Sequence, residues 1–324
     1  MTHLKYAVIG TGAIGGYYGA RLQQAGCEVH FLLHSDYEQV QENGLNIDSI
    51  SGDFALPEVN AYSDPAQMPP VDVVIVALKT THNDQLLNLL PALNPNGAIL
   101  SLQNGLDVEA VIAQQFEEAT PTILGCLCFI CANKIGPGHI RHLDYGRLLL
   151  GAYEKSNRLC PTTPLMKAIA ADFERARVPI ETTEDLPMAR WRKLVWNVPY
   201  NGLSVVLDAT TEEMMGDSGV RSLITTLMNE VVAVANTWGQ QNAMQGKREL
   251  PADLIPQMLT HTEEMAAYRT SMKIDYDEGR PLEIEAILGN PIRTAQALEV
   301  SVPTMVMLYQ QLSFLNAISQ KLDR

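Results

Sequence analysis

The stretch that most restricts how this chain can fold is "YAVIGTGAIG", residues 6–15. A short β-branched run leads directly into G-x-G-x-x-G, and the helical pattern "AIGGYYGARLQQAG" follows. In strand–turn–helix order each glycine has a separate task. Gly10 permits the tight turn, Gly12 lets the backbone approach a pyrophosphate, and Gly15 lets the helix pack closely on the strand. The helix N-terminus then offers N–H donors and a partial positive charge to an anion. Gly10, Thr11, Gly12, Ala13, Ile14 and Gly15 are therefore expected to bind a dinucleotide; the plainer reading is a structural glycine turn.

The second strand, "EVHFLL", bears on which dinucleotide. NAD sites usually place Asp or Glu at this strand's tip to bind the ribose 2′-hydroxyl. Here the tip reads His34 and Ser35, with Asp36 following where it is expected to cap the next helix. Without an acid at the tip, NADPH/NADP is the expected cofactor, with His34 and Ser35 as donors to its 2′-phosphate.

Strand and helix patterns continue to alternate. "VDVVIVAL" is a continuous apolar run suited to a strand buried on both faces. "TTHNDQLLNLLPAL" reads as an amphipathic helix, "GAILSLQNG" as a strand ending in a polar turn, and "LDVEAVIAQQF" as another helix. Residues 121–151 read as further strands around the turn "GPGH". Such alternation predicts a Rossmann-type α/β domain with a parallel sheet. From about Leu186 long helical patterns take over. The expected organisation is a dinucleotide-binding domain over residues 1–185 and an all-α substrate and catalytic domain over 186–324.

Composition limits the partners. A formal charge of −14 argues against general nucleic-acid binding, which needs a basic surface. No apolar run approaches the ~18 residues of a membrane span. The opening "MTHLKYAVIGTG" lacks the pattern of a secretory leader, so a cytoplasmic protein is expected. Cys126, Cys128 and Cys131 cluster in "GCLCFICAN", but without a fourth ligand at metal spacing they read as buried strand thiols. The histidines show no metal spacing either, so no metal is expected. The apolar segment "TMVMLYQQLSFLNAISQKL" can pack internally or against a second subunit, which leaves a homodimer possible.

"KLVWNVPYN", residues 193–201, spaces Lys193, Asn197 and Asn201 four apart, so on a helix they form one polar row among apolar neighbours. A lysine there is either a snorkelling surface residue or a functional one.

Five segments in order resemble the ketopantoate reductase family: "GTGAIG", "ALKT" at 77–80, "LQNG" at 102–105, "KLVWNVPYN", and "SMKIDYDEGRPLEIEAILGN" at 271–290. The resemblance spans nearly the whole chain. It implies NADPH-dependent reduction of a small-molecule 2-keto acid, ketopantoate, to D-pantoate, a step toward pantothenate and coenzyme A. It further implies that Lys193 is the catalytic lysine and Glu283 its acidic partner in substrate binding. Asn104, Asn197, Asn201 and Ser271 match substrate-contacting positions, and Lys79 a lysine beside cofactor and substrate. His34 stands where many members of the family carry an arginine.

The chemistry agrees with that implication. Hydride addition to a ketone creates an alkoxide, which needs charge stabilisation and a proton. An ammonium such as Lys193 supplies both, and a carboxylate such as Glu283 keeps it charged and oriented. Amides one and two turns further hold a hydroxyl or carboxylate without adding charge. "LQNG" and Lys79 both follow strands of a parallel sheet, on the edge where ligands bind, although Asn104 also fits a plain Asn-Gly turn. Ser271 is either a substrate ligand or a helix N-cap. Two further readings are a reductase of another 2-keto acid and a non-catalytic dinucleotide sensor; the polar row is superfluous in the sensor.

Overall fold

The computed structural model describes residues 4–116, 121–244, 246–265 and 267–322; the first three residues of the opening segment lie outside them. The chain divides into two compact units, Met1–Asn104 with Val108–Leu186, and Gly105–Asp107 with Pro187–Arg324.

Among the described residues the first unit holds ten strands: β1 (Lys5–Ile9), β2 (Glu28–Leu32), β3 (Leu45–Ser49), β4 (Phe54–Leu56), β5 (Asn60–Tyr62), β6 (Val71–Val76), β7 (Leu93–Ser101), β8 (Thr122–Gly136), β9 (His139–Ala152) and β10 (Ile180–Thr183). They form one sheet ordered β4-β3-β9-β8-β7-β6-β1-β2-β5, with β10 paired to β9. Its centre is parallel: Ile9 stands in register with Leu32 on one side and Val76 on the other, and Val76 with Ser101. Alternation along β1 divides the apolar side chains between two faces. Tyr6 and Val8 enter one core cluster with Val73 and Ile75, whereas Ala7 and Ile9 enter another with Val74 and Val76. Both faces of the central strands are thus covered, as their uninterrupted apolar runs require.

The helices α1 (Ala13–Gln24), α2 (Tyr37–Asn43), α3 (Leu86–Leu89), α4 (Val108–Ala113) and α5 (Pro164–Arg175) accompany the sheet. The segment expected to form one helix over "TTHNDQLLNLLPAL" is instead a 3-10 turn at Thr80–Gln85 and a single α-helical turn, α3. Leu93 already belongs to β7, so the last apolar residues of that pattern serve a strand. The sheet is mixed, not wholly parallel. The turn at Pro137–Gly138, with Gly138 at φ 65°, returns β9 antiparallel along β8. Cys126, Cys128 and Cys131 are buried in β8.

The second unit is helical: α6 (Leu186–Val206), α7 (Thr211–Gly216), α8 (Ser218–Gln241), α9 (Leu254–Glu264), α10 (Ser271–Asp277), α11 (Asn290–Ala297) and α12 (Pro303–Leu322), with a π-helical turn at Glu285–Gly289 before α11. Its core gathers Trp191, Leu194, Val195 and Val198 of α6 with Ile224, Leu227 and Val231 of α8. Met305, Leu308 and Leu312 of α12 join the same core, while Met307, Phe314 and Ile318 stay exposed. Among the described residues no helix is long and apolar enough to cross a membrane.

Candidate active site

In the first unit the parallel register brings the carboxyl ends of β1, β2, β6 and β7 to one edge, where ligands of such sheets bind. The glycine turn leaves β1 there. Gly10 has φ 94°, and a Cβ on it would lie 2.6 Å from the Leu78 nitrogen, so only glycine fits. A Cβ on Gly15 would lie 2.3 Å from the Gly10 carbonyl oxygen, which makes the first turn of α1 sit tightly on the loop. Gly12 differs from both, because a Cβ there meets nothing within 4 Å. Open space therefore lies beside the backbone just where α1 begins. Gly12 is the helix N-cap without a side-chain bond, and the first turn carries no acidic residue. Uncapped N–H groups, no competing carboxylate and open space suit a diphosphate, so the residues present fit a dinucleotide. The Thr11 hydroxyl donates to the Leu32 carbonyl at 2.9 Å and holds the turn against the end of β2.

His34 and Ser35 follow β2 on this edge and are exposed. Asp36 occupies the N-cap position of α2 but makes no cap bond, contrary to the sequence expectation. Its carboxylate is drawn elsewhere: Oδ2 accepts from the Gly138 N–H at 3.0 Å and pairs with the Lys134 ammonium at 2.5 Å, while Oδ1 accepts from Ser35 at 3.1 Å. Burial raises its pKa, and these three donors outweigh burial, so the carboxyl is held below its ordinary value.

Lys79 and Asn104 leave β6 and β7 on the same edge, both half-buried. Gln103 connects their loops, since its Nε2 donates to the Leu78 carbonyl at 2.9 Å and to Asn83 Oδ1 at 2.6 Å. Sequence reasoning missed this latch, although Gln103 lies inside the quoted "LQNG". The following Gly105 has φ 106°, and a Cβ on it would lie 2.5 Å from the Ala286 Cβ. Close packing within the helical unit, not turn formation alone, demands this glycine.

In the second unit α6 runs unbroken through Pro199. Lys193 is half-buried, and Asn197 and Asn201 are buried at 6% and 2% exposure. Each step of four residues rises ~6 Å, so the ammonium and two amides line one face over about two turns. A bond to α9 fixes the rotation of α6: the Trp196 indole N–H donates to Thr262 of α9 at 3.0 Å, and within α6 its ring stacks on Tyr200. One turn beyond Asn201, the buried Ser204 hydroxyl contacts that of Thr270 at 2.8 Å. Thr270, not Ser271, caps α10, accepting from the Lys273 N–H at 3.2 Å. Ser271 is the first residue of that helix, so its hydroxyl is not used as the cap, and its backbone is held beside the end of the α6 row.

The two glutamates of "LEIE" separate clearly. Glu283 is buried, between Leu282 and Ile284 of the core. Glu285 is exposed and pairs with Arg293 at 2.8 Å while accepting from the Tyr309 hydroxyl at 2.5 Å. Among the described residues no group of three or more His, Cys, Asp or Glu is placed to hold a metal ion.

Comparison with known proteins agrees with both halves. The family model described as "Ketopantoate reductase PanE/ApbA" matches residues 6–155, and "Ketopantoate reductase PanE/ApbA C terminal" matches residues 185–316. A 2-dehydropantoate 2-reductase of Nostoc sp. is 53% identical over 317 residues, covering 98% of this chain and 96% of that protein. The crystal structure of 2-dehydropantoate 2-reductase from Geobacter metallireducens superposes with a TM-score of 0.88 at 40% identity, over 96% of this chain and 99% of that one. That of the Methylococcus capsulatus enzyme gives 0.85 at 32% identity, over 98% of each chain.

Proposed function

Because the chain belongs to the ketopantoate reductase PanE/ApbA family, we propose that it reduces 2-dehydropantoate (ketopantoate) to D-pantoate with NADPH, in the pantothenate and coenzyme A route. The observation that carries this reading is the row of half-buried Lys193 and buried Asn197 and Asn201 on one helix face, in a chain similar over nearly its full length to a reductase of that name.

A bound reduced nicotinamide supplies a hydride to the carbonyl carbon. Every other need falls to side chains. The Lys193 ammonium donates a hydrogen bond to the carbonyl oxygen and passes it a proton as negative charge develops there. Glu283 keeps that ammonium charged and oriented, and binds substrate. Asn197, Asn201 and Ser271 hold the substrate's hydroxyl and carboxylate, and Asn104 is a further substrate contact. Residues Gly10 to Gly15 receive the pyrophosphate, Lys79 stands near the reacting end, and His34 and Ser35 line the 2′-phosphate site.

The reading extends to a cytoplasmic enzyme and to a homodimer as its assembly, which a sedimentation mass checks. The functional test is NADPH oxidation against a panel of 2-keto acids. Turnover fastest with ketopantoate supports the proposal. A faster rate with a different keto acid shifts the substrate, and nucleotide binding without turnover of any acid refutes the enzyme.

A further inference from the structure

The end of β2 presents no arginine and no acid at its tip, yet the structure holds a cation there that comes from a distant strand. β8 pairs with β7 only over Thr122–Gly125 and then runs on to Gly136, beyond the carboxyl edge of the parallel strands. Register shifts at Phe129/Ile130, Cys131/Ala132 and Lys134/Gly136 bend this extension. Its far end lies against the β2–α2 turn, where the Gly138 N–H and the Lys134 ammonium both reach Asp36. Lys134 and Ser35 therefore share one carboxylate, the ammonium on Oδ2 and the hydroxyl on Oδ1.

We propose that Lys134 is the residue that selects a 2′-phosphorylated dinucleotide: anchored by Asp36, its ammonium is the cationic member of the 2′-phosphate site beside His34. The proposal rests on the dinucleotide reading of the glycine turn.

Three observations carry it. First, position: residues about twenty beyond the glycine turn are those that meet the adenosine ribose, and Ser35 stands twenty beyond Gly15. Second, the arrangement of charge favours an anion. Asp36 is 5% exposed, with both oxygens engaged, whereas the Lys134 side chain keeps 34% of its surface and His34 and Ser35 are exposed. The Lys134 ammonium is thus partly open to solvent while the carboxylate it pairs with is buried. An ammonium has three donors, so one bond to Asp36 leaves others for a phosphate. Third, the nearest acid, Asp36, is consumed. With Gly138, Lys134 and Ser35 on its oxygens, Asp36 is a poor acceptor for a ribose 2′-hydroxyl. An anchored ammonium also loses less freedom on binding than a free surface lysine.

The test is equilibrium binding of NADPH and of NADH, followed by nucleotide fluorescence or calorimetry, in the unaltered chain and three variants. A charge-assisted bond to phosphate contributes enough that Lys134→Met should weaken NADPH about tenfold or more while NADH changes less than about twofold. That variant leaves a buried carboxylate without its cation and can fail to fold. The double variant Asp36→Asn/Lys134→Met removes both charges, and it too should lose the preference for NADPH. Asp36→Asn alone keeps the ammonium and should retain the preference. Salt should weaken NADPH more steeply in the unaltered chain than in the double variant. Equal weakening of both nucleotides, or NADPH binding unchanged without Lys134, overturns the proposal even where dinucleotide binding itself stands. Binding of neither nucleotide by the unaltered chain overturns the underlying reading.

Discussion

The hydroxyl of Ser204 lies 2.8 Å from that of Thr270, joining the α6 row to the start of α10 across 66 residues of sequence. Both side chains are fully buried, so neither has water as a substitute partner. Ser204→Ala leaves Thr270 with its bond from the Lys273 N–H only. We expect a stability loss of about 1–2 kcal/mol by urea unfolding. If Ser271 binds substrate, KM for the keto acid should rise while kcat changes little. A lower kcat with KM unchanged would contradict that placement of Ser271.

Gly12 and Gly15 should respond differently to alanine. A Cβ at position 15 runs into the Gly10 carbonyl oxygen, so Gly15→Ala should cost about 1–3 kcal/mol of stability. A Cβ at position 12 meets nothing, so Gly12→Ala should keep its melting temperature and lose nucleotide affinity. Thermal unfolding beside a binding titration separates the two. Equal nucleotide affinity in Gly12→Ala would show that the pyrophosphate does not approach there.

Asp36 makes the β2–α2 region sensitive to acid. Its carboxyl titrates lower in the folded chain than when unfolded, because the donors from Lys134, Gly138 and Ser35 outweigh its burial. The stabilisation from this depressed group is fully present above the ordinary carboxylate pKa near 3.8 and is lost as pH falls through the lower folded value. The stability gap between the unaltered chain and Asp36→Asn should therefore be widest near neutrality and close below pH ~4. Urea unfolding at both pH values measures it, and a gap that widens in acid would contradict the assignment.

The two nearby glutamates offer an internal control. Glu283→Gln should lower kcat/KM by about tenfold or more through loss of the acidic partner. Glu285→Gln disturbs only an exposed pair with Arg293 and the Tyr309 bond, worth at most about 1 kcal/mol, and should leave turnover within about twofold. The reverse ranking from steady-state kinetics would exchange their roles.

Much of this architecture was legible in the sequence where periodicity was strong and local. β1, the glycine turn, β6 and the long helices α6, α8 and α12 each announce themselves through uninterrupted apolar runs or a sustained helical period. The strands β3, β4 and β5 do not, because their short segments hold neither a long apolar run nor a sustained period. β3 pairs with β9, about ninety residues away, through contacts no local pattern reports. The helix expected over residues 80–93 failed for a related reason, since its apolar residues serve a 3-10 turn, α3 and the start of β7. At the site, the spacing of Lys193, Asn197 and Asn201 was visible. Spacing gave no sign that Thr270 would cap α10, that Glu283 would be buried and Glu285 exposed, or that Lys134 would reach Asp36. Those outcomes depend on chain segments meeting from far apart.

The most direct test of the central claim is single-turnover oxidation of NADPH by ketopantoate in Lys193→Ala, with NADPH affinity measured on the same protein. Proton donation by Lys193 predicts a rate lower by roughly 10²-fold or more with NADPH affinity retained. A folded variant that turns over at the unaltered rate would contradict the account.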